Sequence, residues 1–380
     1  MRSRMLSRCC ATTAAVVLST VLLPVAGAHA TASTPKVTKA TKDAFGRVAD
    51  NVITDRTAVL IDGAKAARTS LKPTGGVKLS AAQKSAEDTK LKALRATKSR
   101  LAGLGEAYTS ADTKVAVDST AVKGTKATVK VTEATTLKYK KIRGDEPTST
   151  GFEAHHVLTF TASNGAWQLT AMRSTDGGAP RINDPVAPAA NAKPSRTPMA
   201  VIDAPKAATT WPAPANAKTL NGGKYNYQAM ATYTEKYWKN YNTAYRKYNS
   251  LGGDCTNYLS QGLLAGGWQQ ISKVTPEEYD TWYYASNGNA DAWTGVNEWS
   301  WFTQTAKRTT PLANVYQLDV GDVMQMDFNR DGEKDHSMMT TYRSSSGVPY
   351  LTYHDADTYR RSVASLIASY PTANYYAYRT

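Results

Sequence analysis

The chain has 380 residues, 41% hydrophobic and 20% charged, with 46 Lys+Arg against 31 Asp+Glu and a formal net charge of +15 at pH 7. At about 100 to 200 residues per domain, that length predicts two domains, each able to bury a core. The balance is that of a globular protein and excludes fibrous, coiled-coil and wholly disordered chains.

The start has a secretory layout: Arg2, Arg4 and Arg8, an apolar run from Ala14 to Val25, and Ala28-His29-Ala30 as a small-x-small cleavage site. Residues 1–30 are therefore expected to be a signal peptide, with the mature chain beginning near Thr31 and the protein secreted, extracellular or wall-associated. The run is short and broken by Pro24, and no later stretch reaches the roughly 18 to 20 apolar residues that span a bilayer, so no membrane span is expected. Cys9 and Cys10 precede the apolar segment, which argues against a lipoprotein. Cleavage leaves Cys255 without an internal disulfide partner. An inert buried thiol, an intermolecular bridge and a reactive nucleophile remain open for it.

Eight of the 16 prolines lie between Pro180 and Pro214, and 20 of the 22 tyrosines lie at or after Tyr225. Residues 177–218 read as an extended Pro/Ala-rich linker between a basic accessory domain, 31–176, and a second domain, 219–380. Residues 31–218 hold 29 Lys+Arg against 16 Asp+Glu, whereas 219–380 hold 14 against 15. For an exported protein such a surface fits peptidoglycan, another anionic wall polymer or membrane headgroups; nucleic acid is not expected, because no binding motif is present. A solvated basic surface is the plainer account. A monomer is expected.

The accessory domain begins with helical periodicity over Thr41–Arg68 and Ala81–Ala107. Thr128–Leu137 reads as a strand, and His156, Leu158 and Phe160 form one face of another that turns at Asn164-Gly165 into Trp167, Leu169 and Ala171. A helical start followed by an antiparallel sheet loosely resembles the cone-shaped nuclear-transport-factor-like domains. His155 and His156 point to opposite faces of a strand and read as structural.

From Tyr225 the chain reads as a long helix, with Tyr233, Tyr237, Tyr241, Tyr245 and Tyr248 on one core-facing seam. A second helix opens at Asp254-Cys255 after a Gly-Gly turn. Asp254 is a good N-cap residue, and Cys255 in the first turn sits where unpaired N–H groups and the helix dipole lower a thiol pKa. The base must come from His336, which begins a strand, or His354, which ends the next. Three antiparallel strands packed on the Cys255 helix would bring His336 beside the thiol, with His354 behind it.

Gly252-Gly253-Asp254-Cys255-Thr256-Asn257-Tyr258-Leu259-Ser260-Gln261, then Gly321-Asp322-Val323, Asp335-His336-Ser337 and Tyr353-His354, resemble the putative amidase domain family of secreted bacterial proteins. More distantly they are similar to papain-like cell-wall peptidases. The resemblance covers about residues 225–380. It implies a papain-like C-terminal domain, N-terminal helices packed on an antiparallel sheet; with the small α+β accessory domain read before it, the chain is expected to be α+β. It implies a Cys-His-His triad, with Cys255 as nucleophile, His336 as general base and His354 as third polar residue. Neighbouring Asp355 competes for the third role, and Asn249 is a candidate oxyanion or orienting side chain. The implied reaction is amide hydrolysis through an acyl-enzyme, on cell-wall peptide.

Asp327, Asn329, Asp331 and Asp335, with Gly332, match the start of a calcium loop, but Met338 stands where its bidentate Glu belongs. An acidic hairpin turn competes with structural calcium there, and no cofactor is required. Trp268, Trp282, Trp293, Trp299 and Trp301 read mostly as core, some of them as lining of the cleft. No Gly-x-Ser-x-Gly elbow, zinc helix, phosphate loop or dinucleotide fingerprint is present. The non-enzymatic alternative is an inactive amidase-like module that binds wall polymer.

Overall fold

A computed structural model describes residues 36–63, 73–140, 143–185, 201–220, 223–251, 253–274, 276 and 279–380. The expected signal peptide and residues 186–200 of the Pro-rich stretch lie outside the described residues.

Helix α1 (Lys39–Leu60) starts where Thr38 and Thr41 form a reciprocal capping box. It buries Phe45, Val48, Val52 and Ile53, and the Phe45 ring stacks on Phe160 at 4.3 Å. The helix stops short of Arg68, at Asp62-Gly63, where Gly63 has φ 72°. Strand β1 (Lys78–Leu79) and helix α2 (Ala81–Gly103) follow, then a meander of β2 (Tyr108–Lys123), β3 (Lys126–Tyr139), β4 (Ser149–Ser163) and β5 (Ala166–Ser174). The β4–β5 turn is at Asn164-Gly165, with φ 50° and 73°, as the Asn-Gly signal predicts. Strand β2 left no period-two signal because it is exposed along most of its length, so neither face demanded apolar residues.

The C-terminal half contains α3 (Tyr227–Tyr237), α4 (Cys255–Ala265), the short hairpin β6 (Tyr284–Ala285) and β7 (Gly288–Asn289), α5 (Asp291–Thr294), α6 (Val296–Thr305) and β8 (Thr310–Pro311). These lead into β9 (Val323–Asp327), β10 (His336–Arg343), β11 (Pro349–Tyr353), β12 (Thr358–Ser362), α7 (Val363–Ser369) and β13 (Asn374–Arg379). The mixed α+β class is as expected. Strands β9, β10 and β11 are successive and antiparallel, and side chains of β10 alternate between two cores. Met338 joins Met324, Met326, Leu351 and Leu366 on one face. Met339 joins Leu259, Leu263, Trp268 and Trp299 on the other, which α3, α4 and α6 cover. Trp268, Trp282, Trp293 and Trp299 are fully buried in that second core.

One sheet runs through both halves, in the order β1-β5-β4-β12-β11-β10-β9-β13-β8, with β3 beside β4 and β2 beyond it. The seam pairs Phe152 with Thr358 and Gly151 with Tyr359, and Thr150 donates its hydroxyl to the Tyr359 carbonyl at 3.0 Å. The described residues accordingly make one compact unit. The described part of the Pro-rich stretch is strapped to the C-terminal half and is not a free spacer. Ala204 and Ala207 are buried, the Ala207 N–H donates to the Tyr375 carbonyl at 2.7 Å, and Lys218 pairs with Asp322 at 2.6 Å.

The long tyrosine helix is corrected. Helix α3 ends at Tyr237, and residues 238–248 are irregular. Asn242 turns the chain there, accepting the Ala244 N–H and donating to the Tyr233 hydroxyl. The later rings also find tertiary partners off the helix: Tyr241 stacks on His354, Tyr245 stacks on Trp293 and packs at a tilt against Tyr284, and Tyr248 donates its hydroxyl to Asn289. Tertiary contacts override the local helical period.

Candidate active site

Gly253, at φ 135°, turns the chain so that Cys255 becomes the first residue of α4. The thiol is 6% exposed. Its sulfur lies 3.8 Å from the Thr256 hydroxyl and feels the main-chain N–H of Ser337, the residue after His336. The Thr256 hydroxyl is in turn 3.0 Å from that of Ser337, which accepts from the Gln325 amide. Cys255 and the start of β10 are thus tied together by side chains on one face of the sheet.

Asp254 does not cap α4 with its side chain. Its carboxylate accepts from the Tyr248 N–H at 2.9 Å and the Asn257 amide at 2.9 Å, and its Oδ2 lies 2.7 Å from Nδ1 of His354. The cap comes instead from Asp355, in the turn after β11. Its Oδ2 accepts the N–H of Cys255 at 2.8 Å and the N–H of Asp254, while its Oδ1 accepts from Asn249 at 2.9 Å. The two side chains read as orienting candidates, Asn249 and Asp355, are therefore bonded to each other at the nucleophile's own amide.

His336 is fully buried, and neither ring nitrogen has a hydrogen-bond partner among the described residues. Its ring meets Tyr353 edge-on at 5.0 Å. A Cβ built on Gly178, from the far half of the chain, would stand 2.8 Å from its Cε1. Burial, with the Arg361 charge adding to it, pushes the imidazole down to about 3. Burial likewise pushes the Cys255 thiol up to about 12, and the Asp355 charge acts in the same direction. The expected lowering of the thiol by the helix start is overturned: the amide that would have stabilised a thiolate is spent on a carboxylate, and desolvation penalises the charged sulfur. At rest both groups are neutral.

His354 lies behind the nucleophile, bonded to Asp254 and not to His336. Its Nε2 donates to the Tyr237 carbonyl at 2.8 Å, and its ring is sandwiched between Tyr258 at 3.6 Å and Tyr241 at 3.8 Å. The structure thus gathers Asp355 and Asn249 at the Cys255 amide, brings Ser337 of β10 to the sulfur while the neighbouring His336 ring makes no hydrogen bond to it, and places His354 one residue back through Asp254. The sequence reading missed the histidine-holding role of Asp254, the tyrosine sandwich and Gly178. Locally a helix-cap role accounts for Asp254 and a core seam for Tyr241, and nothing marks Gly178.

The acidic loop between β9 and β10 uses its side chains on itself. Asp327 accepts the N–H groups of Arg330 at 2.5 Å and Gly332 at 3.1 Å, and the Asn374 amide at 2.9 Å. Asp331 accepts from Glu333 and Asn329, and Asp335 accepts the Phe328 N–H at 2.7 Å. Among the described residues no group of three or more His, Cys, Asp or Glu side chains could hold a metal ion. In this loop the carboxylates of Asp327, Asp331 and Asp335 accept main-chain N–H groups of the turn itself. No described helix is long and apolar enough to cross a membrane.

Comparison with known proteins adds three findings. An uncharacterized protein of Bacillus subtilis (strain 168), YhbB, is 24% identical over 155 residues, covering 37% of this chain and 48% of the relative; the chain thus spans about half that relative's length. The crystal structure of the intermembrane space region of the chloroplast protein ARC6 aligns with 37% of this chain and 98% of its own, at 16% identity and a TM-score of 0.22, too low to bear on the fold. Residues 224–378, which hold Cys255, His336 and His354, match the family described as "Putative amidase domain", and this part of the chain is accordingly amidase-like.

Proposed function

We propose that residues 219–380 are a cysteine-dependent amidase or peptidase of papain-like type, carried by a secreted protein and acting on cell-wall peptide. The observation that carries this reading is the position of Cys255 within the amidase match. It opens α4, its own N–H donates to a carboxylate oxygen of Asp355, and the strand beside it begins with a buried, unbonded histidine.

In this reading His336 accepts the thiol proton as sulfur attacks the amide carbonyl. The N–H of Cys255 and the Asn249 amide hold the oxyanion. Collapse expels the amine, which takes the proton from His336, and leaves a thioester. Water then attacks with His336 as base, releasing the carboxylic acid and the thiol. His354 acts at a distance: it fixes Asp254 and so the entry of the chain into α4. Secretion is supported by the layout of the first 30 residues, and wall material as substrate by export and by the basic residues of 31–218.

The test is incubation of the purified protein with peptidoglycan fragments, reading released amino groups and fragment masses. Wild type is expected to release them, and Cys255→Ala and His336→Ala to lose at least about a thousandfold in rate, as removal of an acting nucleophile or base does. Hydrolysis that persists in Cys255→Ala refutes the reading. Retention on wall material without hydrolysis would make the chain a binding module.

A further inference from the structure

The amide that should receive the substrate's oxygen is already occupied by Asp355. Its Oδ2 sits on the N–H groups of Cys255 and Asp254, and Asn249 holds Oδ1, so a carboxylate rests where the carboxylic acid product of amide hydrolysis would lie. The side chain fits tightly between two backbones. A Cβ on Gly253 would stand 2.7 Å from Oδ2, and one on Gly178 would stand 2.3 Å from the Asp355 carbonyl and 2.9 Å from its Cβ. Both glycines have positive φ, 135° and 69°.

The turn that carries Asp355 is strained. Asp355 has φ 57° and Ala356 φ 89°, two successive side-chain-bearing residues in the left-handed region. The carboxylate is 3% exposed and close to a second one, Asp254, and burial holds its pKa above the usual carboxylate range. A simple helix cap needs neither a strained turn nor a second buried acid. Beyond Asp355 lies a cavity of about 390 Å³, lined by Asn249, Tyr241, Lys247, Asp357 and His155 as well as Asp355 itself. Asp355 both lines that cavity and bonds the Cys255 amide. On the other side, the strap Gly178-Ala179-Pro180 closes over His336, its Pro180 carbonyl held by Tyr370 at 2.7 Å and Arg361 at 3.1 Å.

We infer that Asp355 is an internal product mimic that holds this site shut, and that outward rotation of its carboxylate into the adjoining cavity admits the substrate carbonyl to the Cys255 amide. The inference rests on the amidase reading, yet it can fail separately from it.

The test is the rate of Cys255 alkylation by iodoacetamide in the folded full chain, with peptidoglycan hydrolysis measured alongside, for wild type, Asp355→Ala, Asp355→Asn and Ala356→Gly. Removing the carboxylate is expected to raise the alkylation rate at least about tenfold in Asp355→Ala and by less in Asp355→Asn, with the cooperative thermal transition retained. Relief of turn strain in Ala356→Gly stabilises the closed arrangement and is expected to slow alkylation. Faster alkylation without hydrolysis in any variant upholds the gate and refutes the amidase reading. Hydrolysis by wild type, with Asp355→Ala no more reactive than wild type, upholds the amidase and overturns the gate. Unfolding of both Asp355 variants would mark a structural cap and overturn it too.

Discussion

Nδ1 of His354 lies 2.7 Å from Oδ2 of Asp254, and both side chains are almost wholly buried directly behind Cys255. The Tyr237 carbonyl takes the other ring nitrogen, so His354 meets an acceptor on each side. Removing the ring strips Asp254 of its partner inside the core and empties the slot between Tyr258 and Tyr241. His354→Ala is expected to cost about 3 to 5 kcal/mol, the usual penalty for leaving one member of a buried pair alone. Urea denaturation checks this. A loss under about 1 kcal/mol would show that the Asp254–His354 contact does not hold the start of α4.

His336 should set part of the acid stability. Its folded pKa, about 3, lies below the ordinary histidine value, so the unfolded chain takes up a proton that the folded chain refuses. The stability due to neutral His336 is fully present above the unfolded value of about 6.5. It is lost as pH falls from there towards 3, at up to about 1.4 kcal/mol per pH unit. His336→Phe keeps a ring against Tyr353 and cannot charge. Its stability relative to wild type should therefore rise steadily as pH is lowered from 6.5 to 4, measured by denaturant midpoints. A difference that stays constant with pH would mean that the imidazole charges freely in the fold.

The loop before His336 should depend on its own carboxylates more than on an ion. Asp327 accepts from Arg330, Gly332 and Asn374, so Asp327→Ala leaves three donors to find water and is expected to cost about 1 to 3 kcal/mol. Added calcium, or its removal by EDTA, should leave the wild-type melting temperature unchanged. A reversible rise of several degrees with calcium would show that the carboxylates regroup around the ion.

Much of the site was legible locally. The Gly-Gly-Asp-Cys run and the His at a strand start mark Cys255 and His336 because turn glycine, helix start and strand period are short-range properties. The Asn164-Gly165 hairpin was legible for the same reason. Strand β2 is not, because an exposed strand carries no alternation, and the tyrosine spacing extends the expected helix too far, because spacing alone cannot report that Tyr241 and Tyr245 find better partners off the helix.

The sequence by itself determined the residue types that do chemistry and the turns and periods that present them, since these follow from backbone preferences within a few residues. Only the tertiary structure decided what each group faces. It put Asp355 on the Cys255 amide, His354 on Asp254 and Gly178 over His336, pairings between residues about a hundred or more positions apart. It thereby reversed the expected thiol acidity, because desolvation and the nearest charge depend on which distant segments close over a group, and chain order records neither.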